Sequence, residues 1–551
     1  MARSCAESRT RNIVGFRDKF DLKMPTAHSR EVILALDVGT SSMRAIAYDL
    51  EGTVLCTFSR AYSPTFRNDG AVRQDPGDWR VALYALLGEA AAFLEHDERH
   101  AITISLTSQR ASVIPIDEHG EAFFSALMWQ DMSTREECRL IEDSIPAREL
   151  YHLTGMRVHP YFSAPRILWL RRYEPEAYRK ATHLVGVQDF VAFILTGRLV
   201  TDHTQASRTL LFNVSRLDWD QSVLDELSIE RTKLPQVVAP GSVIGETTPE
   251  FRERTGFAAG VPVVIAGGDQ QVAATGLRIT PNSGIGVNNG TGAFVVAASH
   301  TPEFDPEMRT LCTPGAIPNT WDIEAGVLAT GAVYNWLSRE LRGSLELTQE
   351  LDPTVEDDRR LDALSRCAES SPVGANGLVL LPNFAGIAAP DWNPDSRGVL
   401  VNLRLSSSVS DIARAAIEGI AVEIANNVHL VQSVTGRQSK VVVAGGLSQS
   451  QLFVRSLTDA VGFPVEVSGI SEATALGAMI TASVSLGRDA DFASAITRLV
   501  PGPGAVLEPI PQYVSVFERH RAFRKDLHQA LVDADLYRKA QERHGQQRAP
   551  V

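Results

Sequence analysis

No stretch of this chain reaches the roughly 18 consecutive apolar residues of a membrane-crossing helix, which argues against a helical span. Cysteine is scarce, with five in 551 residues (Cys5, Cys56, Cys138, Cys312 and Cys367) and no CxxC pair. That argues against a disulfide framework or a cysteine zinc site and fits reduced thiols in the cytoplasm. An excess of positive charge is missing too. The formal net charge of −13 lacks the concentrated basic surface that duplex nucleic acid requires. A small phosphorylated ligand needs only local donors and stays open.

What is present is the composition of a globular enzyme, 44% hydrophobic and 22% charged. The length is too great for one core and predicts two to four domains. Residues 1–30 are polar and basic, without the apolar core of a secretory signal, and read as a disordered leader. Glu7, Asp18 and Asp21 argue against a transit peptide, and Met24 offers an alternative start.

After the leader, Ile33 to Leu36 reads as a buried strand, Gly39-Thr-Ser-Ser as a turn, and Arg44 to Asp49 as a second strand. A hairpin at Asp49–Gly52 returns a third strand, Thr53 to Phe58. Much later SGIGVNNGTGAFVVAAS repeats the idea, with an Asn-Asn-Gly-Thr-Gly turn before a strand from Ala293 to Ala297. Two such units with Gly-Thr at the bend suggest a duplicated fold with a nucleotide between its halves. Elsewhere strands such as Ala101–Leu106 and Lys440–Val443 alternate with helical patterns over 79–95, 134–145, 411–434, 450–461 and 511–534. Alternation of this kind means an α/β class with mixed or parallel sheets. Pro501-Gly-Pro-Gly504 reads as the end of the compact region.

Five stretches have chemistry to offer, each beside a plainer reading. In DVGTSS, Asp37 to Ser42, a carboxylate at a strand end sits with small residues and hydroxyls, suited to phosphate and magnesium or simply to a hairpin turn. GTG at Gly290 to Gly292 has the same two readings. AGGLSQSQLF, from Ala444, and ISEATALGAMITA, from Ile470, supply glycine and alanine for close approach of a ligand or of another helix. In GGDQQ, Gly267 to Gln271, Asp269 is either the cap of the following helix or a base that takes a proton from a hydroxyl. Arg110 in TSQRAS and Trp129 in MWQD have the chemistry to bond and stack a polyol.

Taken in order, these stretches resemble the FGGY family of carbohydrate kinases, over nearly the whole chain. Further carriers are QDPGDW at 74–79, WQDMSTRE at 129–136, YFSAPRILWL at 161–170, TDHTQASRTLLFNVSRLDWD at 201–220 and GLVLLPNFAGIAAPDWNPDSRG at 377–398. The resemblance implies two actin-like (ribonuclease H-like) domains closing over a catalytic cleft. It places a substrate-binding N-terminal domain at 31–278, an ATP-binding C-terminal domain at 279–535, and a disordered tail at 536–551. It implies ATP-dependent phosphorylation of a terminal hydroxyl of a small polyol or sugar, with Mg2+, in the cytoplasm, by a homodimer or homotetramer.

Residue by residue, the resemblance makes Asp269 the general base and pairs it with Asp37 at the metal. Thr40, Ser41, Arg44, Gly290, Thr291 and Gly292 face phosphate, and Asn335, Gly445, Gly446 and Ser450 face the nucleoside. Arg110, Trp129, Tyr161, Asp269, Gln270 and Phe294 match the substrate contacts of glycerol kinases in the family. Ala111 stands where those enzymes carry a Glu, a loss worth about 1.5–3 kcal/mol in a polar site. The small side chain also leaves room, so a polyol or sugar larger than glycerol is expected, with glycerol, a xylulose-type ketose and an autoinducer-type signal as alternatives. Ser450, Asn335 and Asn402 stand where Asn, Gln and Gly are usual. The rival from another class is a non-catalytic actin-fold sensor of ATP or sugar, against which the retention of both Asp37 and Asp269 argues.

Overall fold

The apolar run after residue 30 forms strand β1 (Glu31–Val38), whose interior side chains are almost all buried. A computed structural model describes residues 30–67, 70–281, 283–341, 357–436 and 440–545. The first sheet has six strands: β1, β2 (Ser42–Tyr48), β3 (Val54–Ala61), β4 (His100–Ser108), β5 (Val243–Glu246) and β6 (Pro262–Gly268), in the order β5-β6-β4-β1-β2-β3. β1 runs antiparallel to β2 and parallel to β4, and β4 runs parallel to β6.

The second sheet has seven strands: β7 (Ile285–Asn289), β8 (Ala293–Ser299), β9 (Leu311–Pro314), β10 (Trp321–Val327), β11 (Val441–Ala444), β12 (Val465–Val467) and β13 (Ala505–Leu507). Its order is β9-β10-β8-β7-β11-β12-β13. β7 is antiparallel to β8 and parallel to β11, and β11 is parallel to β12, so the pattern around β1 recurs around β7. The duplication expected from the two Gly-Thr bends is therefore a duplication of sheet topology. β13 pairs antiparallel with β12. Residues beyond Pro501–Gly504 thus complete the sheet, which corrects the reading of that segment as the end of the compact region.

The two halves exchange helices at the base of the cleft. Helix α1 (Asp269–Gly276) follows β6 but buries Ala273, Ala274 and Leu277 against Val296, Val442 and Ala444 of the second sheet. Helix α2 (Ala473–Ser485), from the second half, packs on Ile33, Ala35 and Ile46 of the first sheet. Where the helices cross, a Cβ on Gly276 would run into the Ala473 carbonyl, and one on Gly477 into the Val272 carbonyl. Small residues in EATALG are what let the two backbones touch.

The leader expected over 1–30 falls, but for Arg30, outside the described residues. The tail is partly corrected: Leu536–Gly545 is helical, with Tyr537 buried beside His528 (ring centroids 5.9 Å apart), while residues 546–551 lie outside the description.

Candidate active site

Asp269 is the first residue of α1, directly after the strand end Gly267-Gly268. Both glycines have a local reason. Gly267 adopts φ +124, open to glycine alone at little cost. A Cβ on Gly268 would lie 2.6 Å from Cδ of Arg110, which crosses over it. Thr204 fixes the bend, its Oγ1 accepting from the Gly268 N–H at 2.6 Å. The carboxylate of Asp269 accepts from the Gln270 N–H at 2.8 Å and sits 3.0 Å from Arg110 Nε. Asp269 is therefore the first residue of the helix and not its cap, which is Gly268 without a side-chain cap bond, and its carboxylate lines the cavity.

Arg110 follows β4 and is almost wholly buried. Its Nη1 donates to Gln271 at 3.1 Å and to Glu324 at 2.9 Å, and its guanidinium lies 5.2 Å from the centre of the Phe294 ring. Glu324, on β10 of the second half, also pairs with Arg208, which is fully buried. A buried carboxylate shared by two arginines from the other half was not expected from the sequence. Its signal was there: two acids, Asp322 and Glu324, sit at alternate positions of an otherwise apolar strand, on one face, and both are buried.

Burial raises the proton affinity of Asp269, and the Arg110 charge pulls it back down. Glu324 moves the other way: despite burial, Arg110 and Arg208 hold it below the usual carboxylate range. Asp37, on β1, is pushed up to about 7 by burial and by Asp269, with Arg44 opposing. Its Oδ1 is buried without a hydrogen-bond partner among the described residues.

One cavity of about 130 Å³ gathers ten of the residues expected to act: Thr40, Arg110, Trp129, Tyr161, Asp269, Gln270, Gly290, Thr291, Gly292 and Phe294. Gln109, Asn288 and Leu328 complete its wall. Trp129 donates its indole N–H to Thr40 Oγ1 at 3.0 Å and meets Tyr161 edge to face at 5.4 Å. Gln270 accepts from Asn288 Nδ2 at 2.9 Å, a bond from one half of the chain to the other.

Other expected residues lie apart from that cavity. Arg44 directs its guanidinium to Glu472 at 2.9 Å, and the Gly39 N–H closes the β1–β2 turn on the Ser42 carbonyl at 3.0 Å. Ser41 and Arg44 thus belong to the β1–β2 hairpin beside the cavity, while Thr40 lines it. Gly445 adopts φ +95, and a Cβ there would strike the backbone of Asn289, beside Gly290. Gly446 has open space in front of it. Ser450 caps the helix Gln451–Val461 through the Phe453 N–H and bonds Ser365 at 2.8 Å, while Asn335 is exposed on the helix Gly331–Glu340. Asn402 takes a left-handed φ of +66, the conformation for which glycine is usual there, and donates to the Gly377 carbonyl at 2.8 Å.

Ala111 is buried and left-handed at φ +68, directly after Arg110, with its carbonyl accepting from Ser163 and Arg166.

Residues 32–276 match the N-terminal domain of the FGGY family of carbohydrate kinases, and residues 286–486 match its C-terminal domain. The chain belongs to that family. This FGGY kinase is 32% identical over 475 residues to a glycerol kinase of Trichlorobacter lovleyi, covering 83% of this chain and 90% of that one. It superposes on a ligand-bound xylulose kinase of Lactobacillus acidophilus with a TM-score of 0.81 at 24% identity, covering 91% and 98% of the two chains. A gluconate kinase of the same organism gives 0.80 at 24% identity, again over 91% and 98%. The fold is the two-domain, actin-like (ribonuclease H-like) α/β architecture of the family, and the protein is an ATP-dependent carbohydrate kinase. Among the described residues no helix is long and apolar enough to cross a membrane.

Proposed function

We propose that this kinase transfers the γ-phosphoryl group of ATP to a terminal hydroxyl of a small polyol or sugar, with Asp269 as general base. The observation that carries the reading is the meeting of Asp269, Arg110 and Trp129 from one half with Gly290–Gly292 from the other on one cavity. In the transfer, the acceptor oxygen forms a bond to the γ-phosphorus as the bond from that phosphorus to ADP breaks. The hydroxyl proton passes to Asp269. Most of the rate comes from positioning and charge neutralisation rather than covalent chemistry.

Arg110, Trp129, Tyr161, Gln270 and Phe294 are assigned to the acceptor. Thr40 and the turn Gly290–Gly292 are assigned to the phosphates, and Gly445, Gly446, Ser450 and Asn335 to the nucleoside. Ser41 and Arg44, on the hairpin beside Thr40, are assigned to the phosphates with it. Glu324 is a positioning residue, holding Arg110 from the opposite half. Magnesium fits this site: Asp37 offers an unpartnered buried oxygen, and Asp269 adds a second carboxylate. No group of three or more His, Cys, Asp or Glu side chains suited to a metal occurs among the described residues. A pair of carboxylates suits an ion that takes its other ligands from phosphate and water. Such an ion would neutralise charge on the transferring phosphoryl group.

An ADP-coupled assay over glycerol, xylulose and longer polyols tests the reading. Turnover of at least one acceptor is expected, and ADP release with none of them would overturn it.

A further inference from the structure

The acceptor cavity does not end at Trp129. Past Trp129, Thr291 and Leu328, which line both spaces, it continues into an outer chamber of about 460 Å³. Among the described residues the wall of that chamber carries three arginines, Arg67, Arg135 and Arg397, and no Asp or Glu. In a chain with a formal net charge of −13 that gathers positive charge, offset in part by Asp395 beside Arg135 and Arg397. Arg67 and Arg135 come from the first half and Arg397 from the second, so the cations face the chamber from both sides of the cleft.

The guanidinium groups of Arg135 and Arg397 are held in place. Arg135 pairs with Asp395, which does not line the chamber. Arg397 donates through Nη1 to the carbonyls of Pro394 (2.9 Å) and Ser396 (2.7 Å). Burial and the neighbouring Arg135 charge both disfavour the protonated form of Arg397. Fixed, half-buried guanidinium groups recognise oxyanions well, because their planar donors match a carboxylate in pairs.

We propose that the outer chamber is a subsite for an oxyanion at the end of the acceptor remote from the phosphorylated hydroxyl. The acceptor it would take is a polyhydroxy acid, reaching from Asp269 past Trp129 to the arginines. This rests on the kinase reading above.

The test compares acceptors of equal length, D-gluconate against D-sorbitol, with the full chain in an ADP-coupled assay. The expected kcat/KM favours the acid by about ten- to a hundredfold, the worth of a hydrogen bond to a charged group. The double variant Arg67→Gln/Arg135→Gln should lose that preference through KM while turning over sorbitol as before, which also shows that it folds. The single variant Arg67→Gln, at an exposed site, should lose part of it. Salt near 1 M, where the screening length is roughly 3 Å, should weaken turnover of the acid more than of the alcohol. Sorbitol turned over as well as gluconate overturns the subsite and leaves the kinase reading intact. An acid preference that survives both variants overturns its placement. ADP release with neither acceptor, nor with any neutral polyol, overturns both proposals.

Discussion

Arg110 lies 3.0 Å from Asp269 through Nε and 2.9 Å from Glu324 through Nη1, so one guanidinium joins the proposed base to a carboxylate of the other half. Burial opposes the charge on Arg110, and Glu324 is the strongest influence sustaining it, ahead of Tyr161 and Asp269. The charge felt by Asp269 is thus set partly from across the cleft.

Replacing Glu324 by Gln removes that counter-charge. Arg110 then acts on Asp269 alone, and the proton affinity of Asp269 falls. The acid limb of the kcat/KM profile should move to lower pH. Two buried arginines are left without their shared partner, a loss of about 3–5 kcal/mol. A pH profile and a melting temperature both equal to wild type would remove Glu324 from its positioning role.

Asp322, two residues away on the same strand, makes a second pH prediction. Burial and then Glu324 push its pKa up to about 8 from the ordinary 3.8, against the pull of Arg208 and Arg110. Between those values the unfolded chain has released a proton that the native protein keeps. This group therefore lowers stability as pH rises from about 4 to about 8. Asp322→Asn mimics the protonated form. Its melting temperature should match wild type near pH 4 and exceed it above pH 8, and equal values at both ends would count against the shift.

The helix crossing at Gly276 and Gly477 leaves no space for a methyl group. Gly477→Ala should cost about 1–3 kcal/mol or more, the usual range for overpacking, because the obstacle is backbone and not a flexible side chain. Denaturant unfolding measures it, and an unchanged midpoint would mean the two helices do not touch there.

Much of the fold was readable because it is local. The helix expected from Ser450 to Val461 is Gln451–Val461, and the charged helix expected over 511–534 is Pro511–Asp533. Gly-rich strand ends marked the cavity for the same reason, since a bend that admits a neighbouring side chain needs its glycines nearby in sequence. Glu324 and Arg208 went unassigned because their meaning lies in pairing across the cleft, between segments more than a hundred residues apart. The short strand β13 was hidden by the Pro-Gly segment before it.

The central claim is that Asp269 takes the proton of the acceptor hydroxyl, and Asp269→Asn tests it most directly. General-base catalysis is worth about a hundred- to ten-thousandfold, so kcat for the best acceptor should fall at least about a hundredfold. ATP binding, measured by calorimetry on the same protein, should survive. Turnover unchanged in Asp269→Asn would contradict the account.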